Sequence, residues 1–272
     1  MSSTLPSSSD LGTALQTPSE VLAPPSLERL PVASLELLER RVLLERLDRK
    51  FVARRRQVEH FLESVGSGYH LLLTQGHTWA RYETCYYDTE RLDIFHDHVR
   101  GRRPRYKIRL RRHVDRKRSF LEVKRKGVGD RTDKHRLEIA FDQVELGREE
   151  LDFISAHAPF DAGRLKPSVW TNFHRATLLG AHSEERLTID LALVFVRNGV
   201  CQEIEDLAVV ELKQRRCSHA SPADRALHLL GVRERSMSKY CVGVASLHEA
   251  ARPSYRQLLL KRLTKALACT TT

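Results

Sequence analysis

Apolar and charged residues alternate through most of the chain. In RYKIRLRR, residues 105 to 112, Tyr106, Ile108 and Leu110 are set against Lys107, Arg109 and Arg111. Residues two apart in an extended strand share a face, so this stretch reads as a two-sided strand. The same pattern predicts strands at RLDRKFVA (46–53), ARYETCYYD (80–88), SFLEVKRK (119–126), KHRLEIAF (134–141), TNFHRATLL (171–179), ERLTIDLAL (185–193) and EIEDLAVVELK (203–213). Tight or polar connections between several of them favour antiparallel neighbours. Helical spacing is rarer. RRRQVEHFLESV (54–65) repeats Val58, Phe61, Leu62 and Val65 on one side. A second helix is predicted from an N-cap at Asp142 to about 157. SPADRALHLLG (221–231) has Ser221 to cap it, Pro222 in its first turn and Gly231 to end it. PSYRQLLLKRLTKAL (253–267) is amphipathic and is expected to pack its apolar side on the domain rather than on a membrane. FHDHV, with His96 and His98, reads as a polar loop.

Residues 1–26 are rich in Ser, Thr and Pro and cannot bury a core, which predicts a disordered tail. A helix is expected over 27–45, around SLELLERRVLLERL, then one domain over 46–250, then a C-terminal helix and tail over 251–272. The 272 residues, 41% of them hydrophobic, suffice for a core. Lys and Arg number 46 against 35 Asp and Glu, a net +11, which suits an anionic partner. The five cysteines, Cys85, Cys201, Cys217, Cys241 and Cys269, are scattered, so reduced thiols and a cytoplasmic setting are expected. No apolar run approaches the ~18 residues of a membrane span. Peripheral contact through the C-terminal helix is the membrane option left open.

Charge crowding is what points to chemistry. Glu122, Lys124 and Lys126 share a face, as do Arg46, Asp48 and Lys50; Arg186, Thr188 and Asp190; and Glu211 and Lys213. Like charges packed this closely cost energy unless an anion lies before them. A wet face would carry more Thr, Ser and Gln. A closed antiparallel β-barrel in an α+β fold, with helices packed outside, accounts for the pattern: apolar faces outward, ionic faces lining the interior. Arg grips phosphate oxygens in pairs, Lys adds point charge, and interspersed carboxylates suit Mg²⁺ or Mn²⁺. The implied ligand is a triphosphate with its metal. These faces show no aromatic residues to stack bases, so nucleic acid is not expected.

RLDRKFV, CYYDT followed by Phe95, KIRLRR, FLEVKRK, NFHRA, ERLTIDLAL, VVELK and SMSKY come in this order over roughly 46 to 245. The series resembles the polyphosphate polymerase (VTC, vacuolar transporter chaperone) domain, a branch of the triphosphate tunnel metalloenzymes. The resemblance implies that Lys50, Arg109, Arg111 and Lys124 are phosphate ligands in the first half, with Arg100, or else Arg102 or Arg103, as a further one. In the second half it implies Arg175 and Arg186 as arginine ligands, Glu211 as the metal ligand, and Ser238 and Lys239 as a closing pair before Tyr240. Lys126, on the face of Lys124, joins the substrate-binding candidates. Asp48 stands where relatives commonly have Glu, and Phe173 where they often have Tyr. No counterpart of the phosphate-sensing domain or membrane helices of eukaryotic members is read in this sequence, so a form similar to the stand-alone bacterial one is expected.

The implied reaction moves the γ-phosphoryl group of ATP to the end of a growing polyphosphate chain. The attacking oxyanion is already ionised, so positioning and charge neutralisation by Arg, Lys, and Mn²⁺ or Mg²⁺ carry it. No Walker A, HExxH or GxSxG sequence is present. A tunnel open at both ends would let the product leave. The alternatives are a triphosphatase on the same fold, cleaving inorganic or nucleoside triphosphate, and a non-catalytic polyphosphate-binding module.

Overall fold

The computed structural model describes residues 24–40, 47–128, 132–215, 221–249, 251 and 253–268. Ten strands form one antiparallel sheet. In chain order they are β1 (Leu47–Arg54), β2 (Tyr69–Leu71), β3 (Ala80–Asp88), β4 (Arg105–His113), β5 (Arg118–Lys126), β6 (Thr132–Ile139), β7 (Lys166–Gly180), β8 (Glu185–Arg197), β9 (Val200–Glu203) and β10 (Leu207–Gln214). Their spatial order is β1-β10-β8-β7-β3-β4-β5-β6, with β2 on β7 and β9 on β8. The helices are α1 (Pro25–Glu28), α2 (Leu35–Arg40), α3 (Arg55–Val65), α4 (Asp93–Val99), α5 (Arg148–His157), α6 (Pro222–Leu229), α7 (Lys239–Leu247) and α8 (Pro253–Ala268).

The expected closed barrel is not what forms. Among the described residues no ladder joins β1 to β6. The free edge of β1 is taken instead by the segment before α7: Phe51 bridges Glu234, and the Arg235 N–H donates to the Lys50 carbonyl at 2.8 Å. The other edge, β6, is mostly exposed and charged, the composition that discourages strand addition. The sheet nevertheless curls. Five strand steps separate β1 from β4, roughly 24 Å if flat at about 4.8 Å per step. Yet Lys50 of β1 is among the charges acting on Lys107 of β4. The ionic faces therefore line the inside of an open sleeve.

Apolar faces look outward, as the alternation requires. Phe51, Ala53, Leu178, Leu187, Ile189, Val210 and Leu212 pack under Leu27 of α1, Val58, Phe61 and Leu62 of α3, and Ala223 and Leu227 of α6. Cys85, Ile108, Leu110, Leu121 and Val123 share a second cluster with Ile154 of α5. One helix breaks the expectation that all lie outside. Thr84 pairs with Thr171 and Tyr86 with Val169, which puts Val169 on the inner face with Tyr86. A Cβ at Gly243 of α7 would lie 3.0 Å from Val169 Cγ2 and 2.7 Å from Phe195 Cδ1. Helix α7 thus lies on the inner face, against β7 and β8. The α8 helix packs on α7 and β1, with Arg54 Nε donating to the Leu267 carbonyl at 2.9 Å.

Several local expectations change. The 203–213 strand is two, broken where Asp206 turns at φ 57 and its carboxylate accepts from the Arg55 N–H and the Arg54 guanidinium. Helix α5 starts at Arg148, not Asp142, because Glu150 reaches back 2.9 Å to the Gly147 N–H. FHDHV is helix α4, not a loop: the Asp88 carboxylate accepts from the N–H groups of Ile94 and Phe95, both at 2.9 Å. Where one helix was expected over 27–45, the described residues carry two short ones parted at Pro31, where Val32 bridges Leu71, and residues 41–46 lie outside the described residues. Pro25 and Ser26, read as tail, open α1; residues 1–23, Cys217 and Cys269 lie outside the described residues. Helix α6 is as expected, with the Ser221 side chain accepting from the Asp224 N–H at 3.0 Å.

Placing α7 inside predicts that Gly243→Val lowers stability by about 1–3 kcal/mol, since overpacking forces Phe195 and Val169 aside. Urea unfolding of the two proteins measures this; equal midpoints would put α7 elsewhere.

Candidate active site: a cationic sleeve

Register sets the lining. From β1 to β6 the inner face carries Lys50; Glu211 and Lys213; Arg186, Thr188 and Asp190; Phe173 and Arg175; Tyr82, Thr84 and Tyr86; Lys107, Arg109 and Arg111; Glu122, Lys124 and Lys126; and Lys134 and Arg136. Three carboxylates organise it, and each holds two cations. Glu122 takes Arg109, with Nε at 2.6 Å and Nη2 at 2.5 Å, together with Lys134. Asp190 accepts from Arg175 bidentately, at 2.5 and 2.7 Å, and also from Lys239 of α7. Glu211 takes Lys50 at 3.0 Å and Lys213 at 2.6 Å. Burial alone would favour the neutral acids. The paired cations win, and all three carboxyls are held below their ordinary range, Asp190 at about 2.

Among the described residues, Lys107, Arg111 and Lys124 lie on this face with no carboxylate in ion-pair contact, although Glu122 acts on Arg111 and Lys124 from further off. Arg111 donates to the Thr84 hydroxyl, at 3.3 Å. Burial and then Arg109 push its guanidinium down to about 10. Arg109, followed by burial, drives Lys124 well below the lysine range, and burial lowers Lys107. Lys107 and Lys124 stand directly opposite one another across β4 and β5. Two ammonium groups at such a position repel, so the sleeve is short of negative charge at this spot.

The inner face also carries rings, contrary to expectation. Tyr82 stacks on Phe173, centroids 5.4 Å apart and 4° from parallel, and His113 lies 4.7 Å from Tyr82. Arg175 sits 5.2 Å from both Tyr82 and Phe173, and Lys239 Nζ sits 4.7 Å from Phe173. These rings face each other and the cations, forming an apolar floor that fixes guanidinium planes.

Lys50, Arg109, Arg111, Lys124, Arg175, Arg186, Lys239 and Glu211 share this inner surface. Arg186 is half-buried opposite Lys213. Lys126 lies one same-face step beyond Lys124, toward the rim. Ser238 is the N-cap of α7, its hydroxyl accepting from the Cys241 N–H at 3.3 Å. Arg100 is exposed at the C-cap of α4 and does not join the group. Lys239 opens helix α7 and is half-buried against Asp190. His98 is a packed histidine, Nε2 2.8 Å from the Tyr106 carbonyl, with burial taking it down to about 3. Sequence reasoning placed no role on Lys134 or Tyr86, and treated Glu122, Asp190, Lys107 and Lys213 only as face charges. Alternation along β6 marks Lys134; what binds Lys239 to Asp190 is tertiary and leaves no local signal.

Among the described residues no three His, Cys, Asp or Glu side chains gather into a metal cage. No helix among them is long and apolar enough to cross a membrane.

A family model described as the VTC domain matches residues 45–248. Curated proteins yield no match. Solved structures resemble the chain loosely. One is a Bacillus halodurans protein provisionally described as an adenylate cyclase, 11% identical over 75% of this chain and 98% of that one, TM-score 0.46. A Hippeastrum protein, provisionally an adenylyl cyclase and described as having a dominant triphosphatase activity, is 14% identical over 76% and 99%, TM-score 0.46. A Pyrococcus horikoshii protein is 14% identical over 80% and 99%, TM-score 0.41.

Lys124→Gln removes a charge that its neighbours repel, so in anion-free buffer it should raise stability by about 1 kcal/mol, read by urea unfolding. The Asp190 carboxyl, held at about 2 against an ordinary 3.8, contributes stability that is full above about pH 4 and is lost as pH falls toward 2. Asp190→Asn should lack that part of the acid slope.

Proposed function

Since the chain belongs to the VTC domain family, we propose that it binds the triphosphate of ATP within the sleeve and transfers the γ-phosphoryl group to the end of a polyphosphate chain. The observation that carries this reading is the trio Lys107, Arg111 and Lys124: half-buried cations that repel their neighbours and, among the described residues, make no ion-pair contact with a carboxylate. Polyanion phosphate oxygens are the ligand that such a lining accepts most readily. Arg111 offers a fork of donors held over Tyr82 and Phe173, at 5.6 and 6.0 Å from their centroids. Arg109 and Arg175 are pre-oriented by Glu122 and Asp190, so their remaining donors need little reorganisation. Lys50, Arg186 and Lys239 add charge from the facing wall. An attacking phosphate oxyanion carries no proton to remove, and the work of the site is alignment and charge neutralisation.

For Mn²⁺ or Mg²⁺ the donor set fits in one way only. Both Glu211 oxygens already hold ammonium groups, and the described residues supply no cage around it. A hard cation arriving on the triphosphate brings phosphate oxygens and needs one or two carboxylates, and Glu211 can give that contact once Lys213 turns to phosphate. When bound, the metal neutralises charge on the phosphate oxygens.

A triphosphatase is the second reading, and the position of α7 on the inner face favours it: the helix leaves less of the sleeve for a long ligand. Water then replaces phosphate as acceptor. Incubation with ATP and Mn²⁺ separates the two. Long acid-labile chains with ADP support the polymerase; orthophosphate without chains supports the hydrolase; no turnover with tight polyphosphate binding supports a binding module.

Arg111→Gln is the informative variant. Arg111 has no ion pair to lose, so the fold should hold while turnover drops about 10²-fold or more. Arg109→Ala is expected to unfold more readily instead, by about 3–5 kcal/mol, because Glu122 loses its principal partner in the interior. Full turnover by Arg111→Gln would remove Arg111 from the site.

A further inference from the structure

Tyr69, Tyr86, Tyr87 and Tyr240 are all buried, and three of them hand their proton to an acceptor. Tyr69 donates to the Glu185 carboxylate, Tyr87 to the Val144 carbonyl and Tyr240 to the Asp88 carboxylate. Tyr86 is different. Its hydroxyl accepts from Arg109 Nη1 at 3.5 Å, and among the described residues no acceptor takes its own proton. With 4% of the residue exposed, bulk water is a poor substitute. A buried donor left in this state bears the full cost of its desolvation. Its acidity differs as well. Burial pushes the phenols of Tyr69, Tyr87 and Tyr240 up. Burial acts on Tyr86 too, but Arg109, Arg111 and Lys107 outweigh it and hold that phenol below the ordinary tyrosine value.

Register puts this donor where a ligand would lie. Tyr86 stands directly opposite Arg109 across β3 and β4. Lys107 and Arg111 flank Arg109 on the same face of β4, about 6.8 Å to either side. A phosphate chain held by Lys107 and Arg111 therefore crosses over the Tyr86–Arg109 pair. From α7, the Tyr240 ring packs with its centroid 5.0 Å from that of Tyr86, and Tyr86 is among the groups acting on Lys239. The groups facing the phenol are thus four cations, Lys107, Arg109, Arg111 and Lys239, and Tyr240, whose proton is committed to Asp88. The carboxylates bound to these cations are already engaged, Glu122 by Arg109 and Lys134, and Asp190 by Arg175 and Lys239. A donor ringed by donors is completed by an acceptor from outside.

We propose that Tyr86 is a phosphate-binding residue, its hydroxyl braced by Arg109 and donating its proton to an oxygen of a triphosphate chain lying over Lys107 and Arg111. The contact rests on the phosphate reading of the sleeve and adds to it a neutral donor whose proton must be present for the ligand to be held. A phosphate oxygen in this position accepts from the phenol and the flanking cations together, a charge-assisted arrangement stronger than one between neutral groups.

Two measurements with tripolyphosphate in metal-free buffer test it. Tyr86→Phe keeps the ring against Tyr240 and removes only the hydroxyl; calorimetry should show its affinity lowered about tenfold. Tyr106→Phe, altered on the outer face where its ring lies 5.5 Å from Phe160, should bind as the unaltered protein does. The second measurement needs no variant to fold. In an alkaline titration followed by tyrosinate absorbance, one phenol of the unaltered protein should ionise below the ordinary range, and tripolyphosphate should move that step to higher pH. Tyr86→Phe should lack the step, which a purely packing role for the hydroxyl would not explain. If tripolyphosphate binds yet moves no phenol, or if Tyr86→Phe binds it as tightly as the unaltered protein, Tyr86 does not touch the phosphate and the proposal fails. Failure of the unaltered protein to bind tripolyphosphate at all would overturn the phosphate reading itself, a result distinct from either.

Discussion

Bringing so many cations onto the inner wall of one sheet is possible only because three carboxylates sit among them. Glu122, Asp190 and Glu211 each bridge two basic side chains, and each bridge ties together separate pieces of chain. Glu122 joins β4 to β6 through β5; Glu211 binds β1 to β10; Asp190 joins β7 and β8 to the first residue of α7. Buried pairs of this kind add little net stability beside a well-packed apolar core, but losing one partner leaves a stranded charge. Their contribution is to orient guanidinium and ammonium groups before any ligand arrives. The residual excess at Lys107, Arg111 and Lys124 is then a consequence of arithmetic: the acids run out before the bases do.

That excess has a thermodynamic direction. The apo sleeve carries repulsion that a polyanion relieves, so binding energy includes the release of stored electrostatic cost. Sites of this type trade fold stability for affinity. The aromatic floor under Arg111 and Arg175 limits the trade by holding the planes of those side chains without neutralising them.

Much of this was legible in one dimension. Period-two alternation placed β3, β4, β5 and the first half of β8 to within a residue or two, because each has one face on the helices and one on the ionic interior. The order of charged motifs brought Lys50, Arg109, Arg111, Lys124, Arg175 and Glu211 to one surface on paper, as the register does in space. What alternation could not carry is long-range. It gives no sign that residues 234 and 235 occupy the edge of β1 and so keep the sheet from closing on β6. Nor does it mark FHDHV as a helix, whose capping carboxylate, Asp88, lies at the end of the strand before it. The inward position of α7 depends on Gly243 lacking a side chain opposite Phe195 and Val169, a steric fact with no periodic signature. The rings of Tyr82 and Phe173 were visible as letters, but their stacking rests on a cross-strand pairing.

The latch between Asp88 and Tyr240 has a kinetic implication. Asp88 caps α4 through the N–H groups of Ile94 and Phe95 and also accepts from the buried Tyr240 hydroxyl, across 152 positions of sequence. Contacts of such separation form late, since loop-closure entropy is lost before they return anything. A helix lodged within a curled sheet, moreover, has no seat until the curl exists. On this ground the inner helix is expected to dock late in folding. Dissolved polyanions could meet the half-built sleeve first, so the ligand this lining is suited to hold is also one that could chaperone its assembly.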